Sequence, residues 1–212
     1  MWHQAQSPLS RYVRTHAGLF LFVVVVYAAG AITGALAVPS LTQEERSSLG
    51  SYVEVFVQGI GQNAPSLAGS DILKLSLESH LKTAGLIWVL GITVLGLPLV
   101  VVLLFVRGFV SGFAASFLAA HMGYRGVLLA AASILPHSVV SVPALLILTV
   151  FSLAFGISLL RQAVAHREVA FLQDMTAYAI VLGAAVVVLG LASAIEAYVT
   201  PVFIRTLSAY LA

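Results

Sequence analysis

The chain has no cysteine, and its 212 residues include only ten Lys and Arg and eight Asp and Glu. Without cysteine there is no disulfide, no thiolate metal site and no Cys nucleophile. Charged residues make up 8% of the chain, against about 25% in a soluble domain. So few charges cannot cover the apolar surface of a water-soluble fold of this size. The formal net charge is only +2 and no basic block exists, so nucleic-acid binding has no electrostatic support. What is abundant is apolar: 60% of residues are hydrophobic and the mean hydropathy is +1.05. The composition implies an all-α integral membrane protein.

Five stretches lack Asp, Glu, Lys and Arg: 15–43, 83–106, 108–124, 126–160 and 175–195. A helix needs about 20 apolar residues to cross the hydrocarbon core. The pattern predicts a single domain over 1–212, polytopic, with five transmembrane helices. The first stretch is too long for a secretory h-region, and "VPSLTQ" rather than an A-x-A site follows it, so it reads as an uncleaved span. The fourth is too long for one straight crossing. Pro136 lacks an amide hydrogen and disfavours helix at Leu135. The expectation is a fourth segment broken near Pro136: a short interfacial or re-entrant piece over 126–135, then a span from about Val139 to Leu160. Arg11 and Arg14 abut the first helix, which places the N-terminus in the cytoplasm and the C-terminus outside.

Between spans one and two, residues 39–82 form the expected outward segment. Thr42 and Glu45 have capping-box spacing. Leu49, Val53, Phe56 and Ile60 recur at helical intervals, which predicts an amphipathic helix over 42–60. "GQNAPSLAGS" (61–70) reads as a loop. A second interfacial helix is expected from Asp71, with Leu73, Leu77 and Leu81 as its stripe and with Lys74, Glu78 and Lys82 spaced i,i+4. Small-residue motifs mark close helix contacts: Gly30-x-x-x-Gly34 in span one and Gly108-x-x-x-Gly112 in span three. Packing within the chain is the plainer use of these faces; a homodimer through them is the alternative.

Ionisable residues at membrane depth are functional candidates by default, because burying charge in lipid is expensive. They are His121, His137 and Glu196, with His80 and Glu78 at an outer boundary. His137 lies between Pro136 and Pro143, where a neutral imidazole can bond carbonyls freed by the break. No H-x-x-x-H or H-E-x-x-H spacing exists, so neither a metal nor any cofactor is expected. "GFVSGF" (108–113) offers Ser111 as a nucleophile with His137 as its base. Rhomboid-type proteases carry a Gly two residues before the serine, where Phe109 stands here. No catalytic residue is therefore assigned. A small-molecule or ion transporter or channel, with a path near His137 and Glu196, is the rival class, although no internal repeat supports it.

Four stretches in this order carry a resemblance: "LFVVVVYAAGAITGAL" (21–36), "SHLKTAGLIWVLGITVLGLPLVVVLLFVRGFVSGF" (79–113), "SILPHSVVSVPALLI" (133–147) and "SAIEAYVTP" (193–201). Together the chain resembles the stage II sporulation protein M family. The broader family tends to read Pro-His-Gly and then a Glu before the next Pro-Ala. Ser138 and Ser141 stand at those places here, and the sporulation branch also lacks that glutamate. The resemblance implies a non-enzymatic scaffold in the mother-cell septal and engulfing membrane. Its implied partners are the peptidoglycan hydrolases of the stage II sporulation D and P type, which remodel the septal wall during engulfment.

Overall fold

A computed structural model describes residues 16–61, 69–93, 95–165 and 171–211; among these there is no strand. Helix is what an apolar environment dictates, since every backbone N–H and C=O must then be satisfied within the chain. Helix α1 spans Ala17–Ala37 and ends in a 3-10 turn, Val38–Ser40, with Pro39 in its first positions. Helix α2 is Gln43–Gly61 and α3 is Gly69–Gly91. The stretch Gly96–Ala165 is helical except at Gly123 (φ 57°, ψ −135°), which divides it into α4 (96–122) and α5 (124–165). Helix α6, Phe171–Ala194, runs through a π turn at Ile195–Val199 into α7, Thr200–Leu211.

Five legs, α1, α3, α4, α5 and α6, lie side by side. Their registers give the directions. Tyr27 lies against Gly108, Ala31 against Gly112 and Ala35 against Ser116, so α1 and α4 run parallel. Arg107 of α4 reaches Ser79 and Thr83, and α3 turns into α4 through 92–95, so those two run antiparallel. At this hairpin end Ser152 of α5 donates to the Ile87 carbonyl at 2.9 Å, and Tyr178 of α6 donates to the Trp88 carbonyl at 2.9 Å. The opposite end holds α2, the Gly123 break and α7. The core between the legs is aliphatic: Val23, Ala84, Ile87, Val100, Leu104, Leu148 and Leu189 are among its buried members. The outer faces of α1 and α6 are apolar too, with Leu21, Ile180 and Val187 exposed. That is the surface of a bundle meant for lipid.

Three expectations change. First, residues 83–106 are not one span. They fold back between Gly91 and Gly96, where Thr93 Oγ1 accepts from Gly96 N at 3.1 Å and caps α4. A Cβ on Gly96 would overlap the Leu90 carbonyl, and Pro98 sits in the first turn, where its missing N–H costs nothing. Second, 71–82 is not a separate surface helix. It is the first half of α3, and its Ser76 and His80 are buried in the bundle. The outward amphipathic pair reduces to α2. Third, the break falls at Gly123 rather than near Pro136. Pro136 and Pro143 both lie inside a helix, and 126–135 belongs to α5. A proline removes one donor, which a packed helix tolerates. Gly123 instead adopts a positive φ that costs other residues more. The loop expected at 61–70 lies largely outside the described residues, as do Arg11 and Arg14.

Among the described residues, three helical stretches suffice by length and composition to cross a membrane: 17–40, 96–162 and 175–204. The second contains the Gly123 break and so makes two legs. Helix α3 is not among them because Lys74, Glu78 and Lys82 interrupt it.

Candidate functional site

Each of the five legs delivers a polar side chain to the middle of the bundle: Tyr27 from α1, His80 from α3, Arg107 from α4, His137 from α5 and Glu196 from the π turn. The Arg107 guanidinium donates to the Ser79 carbonyl at 3.0 Å, to Ser79 Oγ at 3.1 Å and to the Thr83 hydroxyl. These neutral acceptors surround the cation where lipid offers none. Tyr27 donates to Ser111 Oγ at 3.4 Å, and Ser111 donates onward to the Arg107 carbonyl at 3.0 Å. Ser111 is therefore tied into its own helix rather than presented as a nucleophile.

Glu196 reaches the cluster because of the π turn. Pro201 has no N–H, and its ring crowds the carbonyl one turn back. The chain widens before it: Thr200 N–H bonds the Ile195 carbonyl, a five-residue step. Such bulges recur at functional sites. Ser76 Oγ donates to Glu196 Oε2 at 2.6 Å, and His80 Nε2 lies 3.9 Å from the same oxygen. His80 is 6% exposed, and its Nδ1 is buried with no hydrogen-bond partner. Arg107, Glu196 and His137 all lie within electrostatic reach of it. The cluster thus gathers one cation, one carboxylate and two imidazoles, a set able to hold a polar solute or pass a proton.

His137, besides its place in the cluster, supports its own helix, and the remaining candidates fall elsewhere. His137 places Nδ1 3.2 Å from the Ser133 carbonyl oxygen, so the tautomer protonated there donates to it. Ser133 Oγ bonds the Leu129 carbonyl at 2.7 Å. These bonds support the helix beside Pro136. Pro143 lies exposed on α5. Gly30 and Gly34 meet Gly108 and Gly112 face to face. A Cβ on Gly34 would overlap the Phe109 carbonyl, and one on Gly112 the Ala31 carbonyl. Both small-residue faces are thereby occupied within the chain. His121 lies far from the cluster; it ends a stack with Phe109, Phe113 and Phe117 and pairs with Glu54 of α2 at 3.6 Å. Among the described residues no three His, Asp or Glu converge as a metal site.

Sequence reasoning missed Ser76, Ser79, Thr83, Arg107 and Tyr27. The usable signal is Arg107 itself, which stands alone inside the apolar run 83–124 and divides two of the uncharged stretches. At the α2 end, an apolar cavity of about 310 Å³ lies between α2 and the bundle, lined by Leu49, Tyr52, Phe113, Leu129 and Ile204. Beside it is a more polar cavity of about 610 Å³ with Arg46, Ser47 and His121.

An all-helical bundle with an apolar exterior, an internal polar cluster and one amphipathic helix at its end defines a helical membrane protein. The family model for stage II sporulation protein M matches residues 23–201. The chain belongs to that family and is a sporulation-related membrane protein. No curated protein and no solved structure matches it.

Proposed function

We propose that the protein is a non-enzymatic five-span scaffold that recruits peptidoglycan hydrolases of the stage II sporulation D and P type to the septal membrane during engulfment. The legs α1, α3, α4, α5 and α6 are the five crossings, with the N-terminus cytoplasmic and the α2 end facing outward. The observation that carries this reading is α2. It lies across the outer end of the bundle and leaves Tyr52 and Val55 largely exposed at 75% and 70%. An amphipathic helix with a free apolar face is a recognised docking element. Co-purification of the full chain with either hydrolase from sporulating membranes tests it. Capture that is lost in Tyr52→Asp and Val55→Asp supports the reading; absence of capture in native membranes overturns it.

A second reading, passage of an ion or small polar solute, draws on the polar cluster at Arg107, His80, His137 and Glu196. Flux into liposomes that Glu196→Gln abolishes favours it, and a tight vesicle removes it.

A further inference from the structure

The outer face of α3 does not suit lipid. Lys82 and Glu78 form an ion pair at 2.5 Å, and their side chains remain 70% and 59% exposed. Lys74 is exposed one turn earlier. The depth of this pair follows from its neighbours. Thr83 bonds Arg107, Arg107 precedes Gly108, and Gly108 abuts Tyr27 of the uncharged α1. Tyr27 is ten residues into α1, so the level is ~15 Å from the hairpin end at 1.5 Å per residue. That is the middle of a ~30 Å hydrocarbon core. A lysine this deep cannot carry its ammonium group to either interface along a four-carbon stem. Charges at the bilayer centre face protein or water, not acyl chains.

We infer that this face of α3 is an interface with a second copy of the same chain. The stripe reads Lys74, Glu78, Lys82, with signs + − +, so it is complementary to a copy of itself met one turn out of register. A two-fold axis along the bundle brings equal residues to the same height, so each Glu78 reaches across to a lysine one turn away on the other copy, about 6 Å along the axis, and does so reciprocally, as isologous contacts require. The mixed signs on one stripe favour this over a partner helix carrying a single charge. Toward the hairpin end the face continues as Gly85, where an added Cβ would meet nothing, and exposed Leu86 and Val89. A small residue flanked by aliphatics allows close approach in lipid. The seam differs from the Gly30 and Gly108 faces, which are covered within the chain. The inference rests on α3 crossing the membrane and not on hydrolase recruitment.

The absence of cysteine makes the test clean. Leu75→Cys and Leu86→Cys are placed singly in the full chain and oxidised in native membranes. Leu21→Cys on α1 and Val187→Cys on α6 serve as controls. The expected result is a covalent dimer of twice the chain mass at the two α3 positions only. Lys82→Glu lowers its yield roughly tenfold through a like-charge clash, and co-expression with a chain carrying Glu78→Lys restores it as a mixed dimer of the two variants. Neither single variant retains the Glu78–Lys82 pair within its own chain, so recovery in the mixed dimer separates an interface effect from misfolding. Equal cross-linking at the controls, no dimer at either α3 position, or adducts of another mass would each overturn the inference. Failure to capture a hydrolase would leave it standing.

Discussion

Ser76 donates a 2.6 Å hydrogen bond to Glu196 across 120 residues of chain. It joins the third helix to the π turn that follows the sixth, and it holds the carboxylate that His80 also approaches. Removing a hydrogen bond to a charged group costs about 1–2 kcal/mol when the group keeps partial access to solvent. Ser76→Ala is therefore expected to lower the melting temperature in detergent. Glu196→Gln, whose carbonyl oxygen still accepts from Ser76, is expected to lower it less. Equal losses would show that the hydroxyl is not what anchors Glu196.

Glycines on the α1–α4 seam and glycines in open space should respond oppositely. At Gly34 and Gly112 an added Cβ would overlap a backbone carbonyl, whereas at Gly183 it meets nothing. Overpacking a close contact costs about 1–3 kcal/mol. A helical Gly→Ala change without a clash gains roughly 0.5–1 kcal/mol. We expect Gly112→Ala to destabilise the bundle and Gly183→Ala to hold or raise its stability, as read by thermal unfolding in detergent.

The Thr42–Glu45 capping box gives α2 a pH dependence. Glu45 Oε2 accepts from Thr42 N and Thr42 Oγ1, each at 2.8 Å. The Thr42 backbone amide, and next its hydroxyl, hold the Glu45 carboxyl below the ordinary glutamate value. A carboxyl lowered on folding contributes stability above its unfolded pKa and loses it as pH falls through the folded one. Amide protection factors in the first turn of α2, corrected for the intrinsic rate, should therefore fall below pH ~4.3, the ordinary glutamate range. Thr42→Ala should raise exchange at neutral pH and flatten this dependence.

Much of the fold was legible because lipid imposes simple rules. The long uncharged stretch before Glu44 marked α1, and Thr42 with Glu45 marked the start of α2. Gly30, Gly34, Gly108 and Gly112 stood out by spacing, although sequence alone left open whether they would meet each other. The errors came from reading charge as a boundary. Arg107 divides two uncharged stretches in the sequence, yet Ser79 and Thr83 supply the acceptors that let it lie inside. The turn at 92–95 was hidden because its residues are as apolar as the helices beside it; only Gly91, Gly96 and Pro98 hinted at it. Glu196 and His80 lie far apart in sequence, and no periodicity could have paired them.

The bend between α4 and α5 gives the sharpest contrast between expectation and structure. Proline was the expected breaker, yet the helix continues through Pro136, where Ser133 and His137 bond nearby carbonyls. Gly123 turns the chain with φ 57°, a value L side chains adopt at a cost of about 1–3 kcal/mol. Space is not the issue there, since an added Cβ would meet nothing. Gly123→Ala should thus destabilise the bundle through backbone strain alone. Pro136→Ala restores an N–H that can bond the Ala132 carbonyl, so it should leave stability unchanged or raise it. Thermal unfolding of the two variants in one detergent decides between the positions. If Pro136→Ala proved the more damaging, the turn would depend on proline geometry, and the role given to Gly123 would fail.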